Sequence, residues 1–356
     1  MKKLNVAIIG QGRSGKNIHG KYFLSEDNLY YNVKYVVEED AFRREVSAER
    51  YEGCTVLDDY KKLYDIDDID LVVNATYSET HYSITRDLLL HGKNVLVEKP
   101  FARSRYECDE LIRIAKEKGV TLAVFQQTFL APLYEFTYEL AKSGKLGEIQ
   151  QISIHYNNFA RRWDWQTLQK KCAGGAYNTG PHPIGMALGF LDFDKEAKVV
   201  YSKLAAGMTL GDSDDYAKIL LTAPGKPLVD VEISSLDAYA NFTIKMQGTR
   251  GSYKANHSEY EMTYVVDGEN VERTVSDTFI KDEKGEPIYC SEQLVKHVES
   301  GKFSGTAFDI GAANLYRQLY ELITEGKPMT VTPAMAADVI SVIETIHATN
   351  PLPLKF

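Results

Sequence analysis

The sequence predicts an α/β nucleotide-type domain followed by an α+β domain: a doubly wound parallel sheet first, then a large, mostly antiparallel open sheet. Three observations predict this. From the start to about residue 125, short β-branched strands alternate with helical stretches, the mark of βαβ units. The first strand runs directly into Gly10-Gln11-Gly12-Arg13-Ser14-Gly15. Beyond residue 126, long segments of alternating polarity follow one another with tight turns between them. The expected domains are therefore 1–125 and 126–356.

The elements follow in order. Leu4–Ile9 is an apolar run ending in glycine and reads as a buried parallel strand. A helical stretch begins at about Ser14. Val33–Val37 and Asp70–Ala75 are further strands. Thr80–Leu90 is helical, with Thr80 as its cap and Gly92 as its stop. Val95–Val97 is a strand. Ser104–Lys118 is an amphipathic helix between Ser104 and Gly119, and Val120–Phe125 is the next strand. Leu133–Lys142 is a helix ended by Gly144. The alternating segments are Ile149–Asn157, Lys198–Ala205, Tyr216–Thr222, Val229–Leu236, Phe242–Gly248, Glu261–Val266 and Val271–Val275, with turns at Pro224-Gly225 and Asp267-Gly268. Helix Pro183–Leu191 interrupts them. Ser291–Glu299, Asp309–Glu325 and Pro333–Thr349 read as closing helices, the last able to pack back on the first domain.

Composition narrows the function. Lys plus Arg is 41 and Asp plus Glu is 50, a formal net charge of −9. The chain is 44% hydrophobic and 26% charged, which is that of a globular protein. Net acidity without a Lys/Arg-dense segment argues against nucleic acid as the main ligand. No apolar run approaches the roughly 20 residues of a membrane span. Cys54, Cys108, Cys172 and Cys290 are far apart and form no Cys-x-x-Cys pair, so a reduced, cytoplasmic chain without a metal site is expected.

The glycine loop fits two motifs. It is nearly the phosphate loop of nucleotide triphosphatases, but Asn17 stands where a Mg²⁺-binding hydroxyl is needed. As a dinucleotide loop its chemistry is in order. Gly10 permits the turn, Gly12 lets a pyrophosphate approach, Gly15 lets helix and strand pack, and the helix N-terminus faces the phosphates. Glu38, after the second strand, suits the adenosine ribose and repels a 2′-phosphate. NAD is therefore favoured over NADP, with Arg43 and Arg44 as the nearest counter-argument.

Three further clusters carry chemistry. Glu98-Lys99-Pro100 follows a strand at its carboxyl end, where ligands bind in such sheets. Pro100 restrains Lys99 and allows a cis bond. Gly174 through His182 holds Asn178 and His182 four residues apart, one helical turn, with His182 as the candidate general base. Asn157, Arg162, Trp163 and Trp165 lie in an aromatic and polar segment suited to stacking on a sugar and bonding its hydroxyls. Gln126-Gln127-Thr128 ends the first domain and can face the same cleft.

Together these residues resemble the Gfo/Idh/MocA oxidoreductases over nearly the whole chain. The resemblance rests on Gly10/Gly12/Gly15, Glu38, Asp70–Ala75 followed by Thr76, Glu98-Lys99-Pro100, Gly174 through His182, and Gly326-Lys327-Pro328-Met329-Thr330-Val331-Thr332-Pro333. It implies a Rossmann domain, then an open-sheet domain whose face makes dimers or larger homo-oligomers. It implies a cofactor set of Gly10, Gly12, Arg13, Ser14, Gly15, Glu38, Thr76, His81, Glu98, Lys99 and Gln127. Lys99 would contact the reacting hydroxyl and His182 would be the acid/base, with Asn178 beside them where the family usually has Asp. The substrate set is Lys99, Gln127, Asn157, Arg162, Trp163, Trp165, Asn178 and His182. The family often has arginine near Gln127; its absence here argues against an anionic substrate.

The function expected is NAD-dependent oxidation of a secondary hydroxyl on a carbohydrate: a sugar, a cyclic polyol, or a glycoside such as a glucoside at C3. One alternative is glycoside cleavage through transiently used NAD, by oxidation, elimination and reduction. Another, of a different class, is a non-catalytic sensor of sugar or NAD.

Overall fold

The structure is a computed structural model that describes residues 2–356. Strands β1 (Leu4–Ile9), β2 (Tyr31–Val37), β3 (Thr55–Leu57), β4 (Leu71–Asn74), β5 (Val95–Val97) and β6 (Leu122–Val124) form a parallel sheet in the order β3-β2-β1-β4-β5-β6. The reversal of order beside β1 opens a crevice at the strands' carboxyl ends. Helices α1 (Gly20–Phe23), α2 (Ala41–Arg50), α3 (His81–Leu90) and α4 (Arg105–Lys118) connect them.

Both faces of this sheet are covered, as continuous apolar strands require. Val6 and Ile8 of β1 face one cluster with Tyr22, Phe23 and Tyr316, while Ala7 and Ile9 face the other with Leu88, Leu111 and Ile114. Residue-by-residue alternation along one strand thus supplies both layers.

The second sheet holds β7 (Ile149–Asn157), β8 (Lys198–Ala205), β9 (Tyr216–Thr222), β10 (Leu228–Ser234), β11 (Ile244–Gly248), β12 (Gly251–Ala255), β13 (Glu259–Tyr264) and β14 (His297–Lys302). Its order is β14-β13-β12-β11-β7-β10-β9-β8, and within this sheet β7 with β10 is the one parallel pair among the described strands. Helices α5 (Pro132–Lys142), α6 (Gly175–Asn178), α7 (Pro181–Phe190), α8 (Ala312–Glu325) and α9 (Pro333–Thr349) complete the fold. Every residue of α7 is buried.

The two closing helices tie both sheets together. Tyr316 of α8 stacks on Tyr22 with ring centroids 4.3 Å apart. Asp338 of α9 is paired with Arg105 of α4 at 2.5 Å, and Glu344 accepts from the Arg105 backbone N–H at 3.0 Å. Among the described residues no helix is long and apolar enough to cross a membrane.

The structure corrects several element assignments. The helix at Ser14 begins as a π-turn, Gly15–His19, before α1. Helix α2, strand β3 and strand β12 are additional. Val271–Val275 is not a strand, and Ser291–Glu299 is not a helix: residues 291–296 are irregular and β14 starts at His297. Val271 and Val275 are 70% and 94% exposed, so no neighbouring strand or core rewards their alternation. Val298 instead pairs with Thr263 of β13.

Candidate active site

A cavity of about 1070 Å³ lies where the carboxyl ends of the first sheet meet the second. Its walls include Gly10, Gly12, Arg13, Ser14, Glu38, Thr76, His81, Glu98, Lys99 and Gln127, all from the expected cofactor set.

The glycine loop has the geometry its sequence demands. Gly10 has φ +88°, and a Cβ there would stand 2.6 Å from the Ala75 carbonyl oxygen. A Cβ at Gly15 would stand 1.8 Å from the Gly10 carbonyl oxygen. Gly15 does not line the cavity; it allows the turn to close beneath it. At Gly12 nothing lies within 4 Å of an added Cβ, so the backbone there is open to a ligand. Buried Glu38 accepts from the Gln11 N–H at 2.7 Å and the Asp40 N–H at 3.1 Å. Its carboxylate therefore joins the glycine loop to the end of β2. Arg44 is bound to the carbonyls of Glu38 and Glu39, whereas Arg43 reaches to 3.9 Å from the Glu38 carboxylate. These features fit the pyrophosphate and adenosine ribose of a dinucleotide.

Glu98 and Lys99 end β5, and the Lys99–Pro100 bond is cis. Glu98 is buried. Burial pushes its pKa up, but the hydrogen bond and charge of His19 and the charge of Lys99 outweigh this and hold it at about 2. His19 Nε2 is 3.1 Å from Glu98 Oε1, and His19 Nδ1 is 2.6 Å from the Tyr316 hydroxyl. Burial drives the Tyr316 pKa far up, so its hydroxyl stays protonated beside His19 Nδ1. His81 Nδ1 lies 2.7 Å from the Pro100 carbonyl and its Nε2 3.3 Å from that of Thr76, which fastens the loop after β4 to Pro100.

Lys99 Nζ donates to the Asn178 carbonyl at 2.8 Å. Burial lowers its pKa, and Glu98 opposes the shift. His182 lies on the same cavity, 3.3 Å from Thr128 Oγ1 through Nδ1. Burial, then the Lys99 charge, pushes its pKa down to about 3, so the imidazole is neutral near pH 7. Asn178 and His182 do not share a single helix: α6 ends at Asn178 and α7 starts at Pro181. The Asn178 amide donates to the Gln166 carbonyl at 3.0 Å, so Thr128, and not Asn178, holds His182. Gln127 is 2% exposed, lines the cavity and has an unpartnered Oε1.

Of the aromatic segment, Arg162 and Trp165 line the cavity and Trp163 and Asn157 do not. Trp165 packs edge-on against Tyr77, centroids 5.0 Å apart. Arg162 is neutralised by a two-point contact with Asp164, at 2.6 and 3.2 Å. Trp163 is 82% exposed. Asn157 points to Glu232 and Asp237 at 2.7 and 3.0 Å, and its neighbour Asn158 meets the cavity instead.

Sequence reasoning missed Tyr156 and His257. The Tyr156 ring lies 6.5 Å from the His182 ring and 5.8 Å from the His257 ring, and all three line the cavity. The alternation of β7 offered a signal for Tyr156. His257 sits in the β12–β13 turn, and no local pattern marks it.

Comparison with known proteins agrees with this architecture. Residues 4–126 match the family model for the oxidoreductase family with an NAD-binding Rossmann fold, and residues 134–254 match the GFO/IDH/MocA C-terminal domain. The chain is 25% identical over 353 residues to the uncharacterized oxidoreductase YhhX of Escherichia coli, covering 96% of this chain and 95% of the relative. It is 24% identical to the scyllo-inositol 2-dehydrogenase (NADP(+)) IolW of Bacillus subtilis, covering 96% and 92%. It is 23% identical to the 2,7-anhydro-N-acetylneuraminate hydratase of Mediterraneibacter gnavus, covering 85% and 80%. Among solved structures, GenD2 from gentamicin A biosynthesis, in complex with NAD, has the same fold, with a TM-score of 0.77 at 22% identity over 98% of this chain and 93% of that one. The first domain is thus an NAD(P)-binding Rossmann domain, and the chain belongs to the GFO/IDH/MocA family of oxidoreductases.

Proposed function

We propose that the protein oxidises a secondary hydroxyl of a sugar, glycoside or cyclic polyol, with NAD as the hydride acceptor. The observation that carries the reading is that half-buried Lys99 and neutral His182 line one cavity with the glycine loop and Glu38. When bound, the dinucleotide supplies the hydride acceptor. Gly10, Gly12 and the loop N–H groups would receive its phosphates, and Glu38 would accept from its ribose. Glu38 also favours NAD over NADP, because a buried carboxylate repels a 2′-phosphate.

His182 with Nδ1–H directed at Thr128 presents a free Nε2 lone pair, which takes the hydroxyl proton. The Lys99 ammonium stabilises the oxygen as it becomes anionic. Pairing with Asp164 occupies Arg162, the arginine on the substrate side, which supports a neutral substrate. Trp165 and Tyr156 offer apolar ring faces to a sugar. The half-buried polar row on the open face of the second sheet, with His155, Lys218, Asp230 and Glu232, supports homo-oligomer formation through that face. The four cysteines are free thiols, which suits a reducing cytoplasm.

The test is turnover by purified protein with NAD or NADP on a panel of inositols, free sugars and glucosides, followed by reduced nicotinamide. Absence of turnover in both directions, with keto-sugars included as acceptors, overturns the reading. The hydratase relative favours a second reading, in which the oxidised sugar loses a leaving group and the hydride returns. Released product with no net reduced cofactor is its signature.

A further inference from the structure

The glycines at 174 and 175 are explained by a residue outside the cavity. Gly174 has φ +112°, and a Cβ there would stand 2.3 Å from Asp214 Oδ1. Asp214 is 2% exposed. Its Oδ2 accepts from the Ala176 N–H at 2.7 Å, and its carbonyl accepts from the Gly175 N–H at 2.8 Å. Oδ1 has no hydrogen-bond partner and faces His347 Nε2 of α9 at 3.6 Å. The imidazole is held from its other side, where Nδ1 lies 2.8 Å from the Ile343 carbonyl, and the Tyr177 ring packs 5.0 Å from it. Burial lowers the His347 pKa, but Asp214 outweighs it and the net shift is upward.

The segment clamped in this way is one helical turn long. The Asn178 N–H donates to the Gly174 carbonyl at 2.8 Å, and the Asn178 carbonyl then receives Lys99 Nζ. A turn this short has little stability of its own. Its position comes from what holds it: Asp214 at its first residues, and at its end the Tyr177 hydroxyl on the Arg103 carbonyl and the Asn178 amide on the Gln166 carbonyl.

We propose that the pair formed by buried Asp214 and half-buried His347 is a positioning device for the active site: it clamps the start of α6 and so helps to set the Asn178 carbonyl on Lys99. This rests on the reading above, in which Lys99 meets the reacting hydroxyl. Neither residue touches the cavity. Asp214 acts through backbone N–H groups, and His347 acts through Asp214.

The test uses the full chain with Asp214→Asn, His347→Gln and, for comparison, Asp215→Asn. Asp215 accepts from the N–H groups of residues 207–209, a neighbouring loop that does not lead to Lys99. Three measurements are made: amide hydrogen exchange over 175–180, the pH profile of Lys99 acetylation by an activated acetate ester mapped by mass spectrometry, and kcat with KM. Asp214→Asn is expected to speed exchange about tenfold or more and to move the Lys99 profile up towards an ordinary lysine as water enters. It should lower kcat about 10- to 100-fold with KM within about twofold, the cost of a misplaced reacting group. His347→Gln should act in the same direction by less, and it carries the test alone if Asp214→Asn does not fold. Asp215→Asn should match wild type. Wild-type exchange and acetylation in Asp214→Asn, or equal effects of Asp215→Asn, overturn the proposal. If wild type turns over no sugar, the function proposed above fails, while exchange and acetylation still decide this one.

Discussion

The two walls of the cavity are made of different materials. Where the glycine loop lines it, the wall from the first sheet is backbone: Gly10 and Gly12, beside Glu38, which the N–H groups of Gln11 and Asp40 hold. The wall from the second part is mostly side chain: Tyr156, Trp165, His182 and His257. A backbone wall recognises groups common to every dinucleotide and tolerates almost no substitution. A side-chain wall can be rebuilt residue by residue, which suits it to choosing one substrate among many. The difference teaches where damage should be global and where it should be selective.

The largest expected effect lies just beneath the backbone wall, where Gly15 lets its turn close. Gly15→Ala forces a Cβ to within 1.8 Å of the Gly10 carbonyl oxygen, and backbone cannot yield as a side chain does. It should cost about 3 kcal/mol or more of stability and abolish dinucleotide binding together, read by urea unfolding and calorimetry. Normal binding by this variant would break the comparison.

The next effect belongs to the side-chain wall. His182→Ala should lower kcat by about 10²–10⁴-fold, the range for a lost general base, and leave dinucleotide affinity unchanged. If affinity for the dinucleotide falls as much as kcat, the two walls are not separate.

A third prediction concerns acid. The folded pKa of His182 is pushed down to about 3 from an ordinary 6.5 by burial and the Lys99 charge. Between these values the unfolded chain takes up a proton that the folded chain refuses, so stability falls as pH drops from 6.5 towards 3. His182→Asn should flatten the stability curve across that window. Glu98, held at about 2 against an ordinary 4.5, stabilises the fold above 4.5 and loses that contribution as pH falls through 2. Its share should persist in the His182 variant. An unchanged slope above pH 4.5 would show that His182 does not titrate as its surroundings require.

The smallest effect separates two tryptophans. Trp165→Ala should raise KM for the sugar, because Trp165 lines the cavity. Trp163→Ala should change stability by no more than about 0.5 kcal/mol and leave KM alone, because Trp163 is 82% exposed. Equal effects would mean that Trp163 swings into the cavity when substrate binds.

The same contrast explains what was legible in the sequence. Gly10, Gly12, Gly15, Glu38 and the Glu98-Lys99-Pro100 step work through local conformation, and local conformation is written in adjacent residues. The Rossmann elements and most strands of the second sheet were legible for the same reason: their period matches their burial. Thr128 and His257 are brought to His182 by packing between distant segments, and no spacing in the chain records that. Trp163 and Trp165 are only two residues apart, yet only one meets the cavity. Residues 265–296 misled because Val271 and Val275 alternate correctly without anything to pack on, and Asp214 stayed hidden because its partners are backbone N–H groups.

Tyr316 has a consequence for how the protein is made. Its ring stacks on Tyr22, and its hydroxyl meets His19, which in turn holds Glu98. A ribosome that has delivered the whole Rossmann sheet has therefore not yet delivered the piece that closes its core and sets its glutamate. The residue that completes this core follows the last strand of its sheet by nearly two hundred residues, so the cofactor half is finished only by a distant part of the chain.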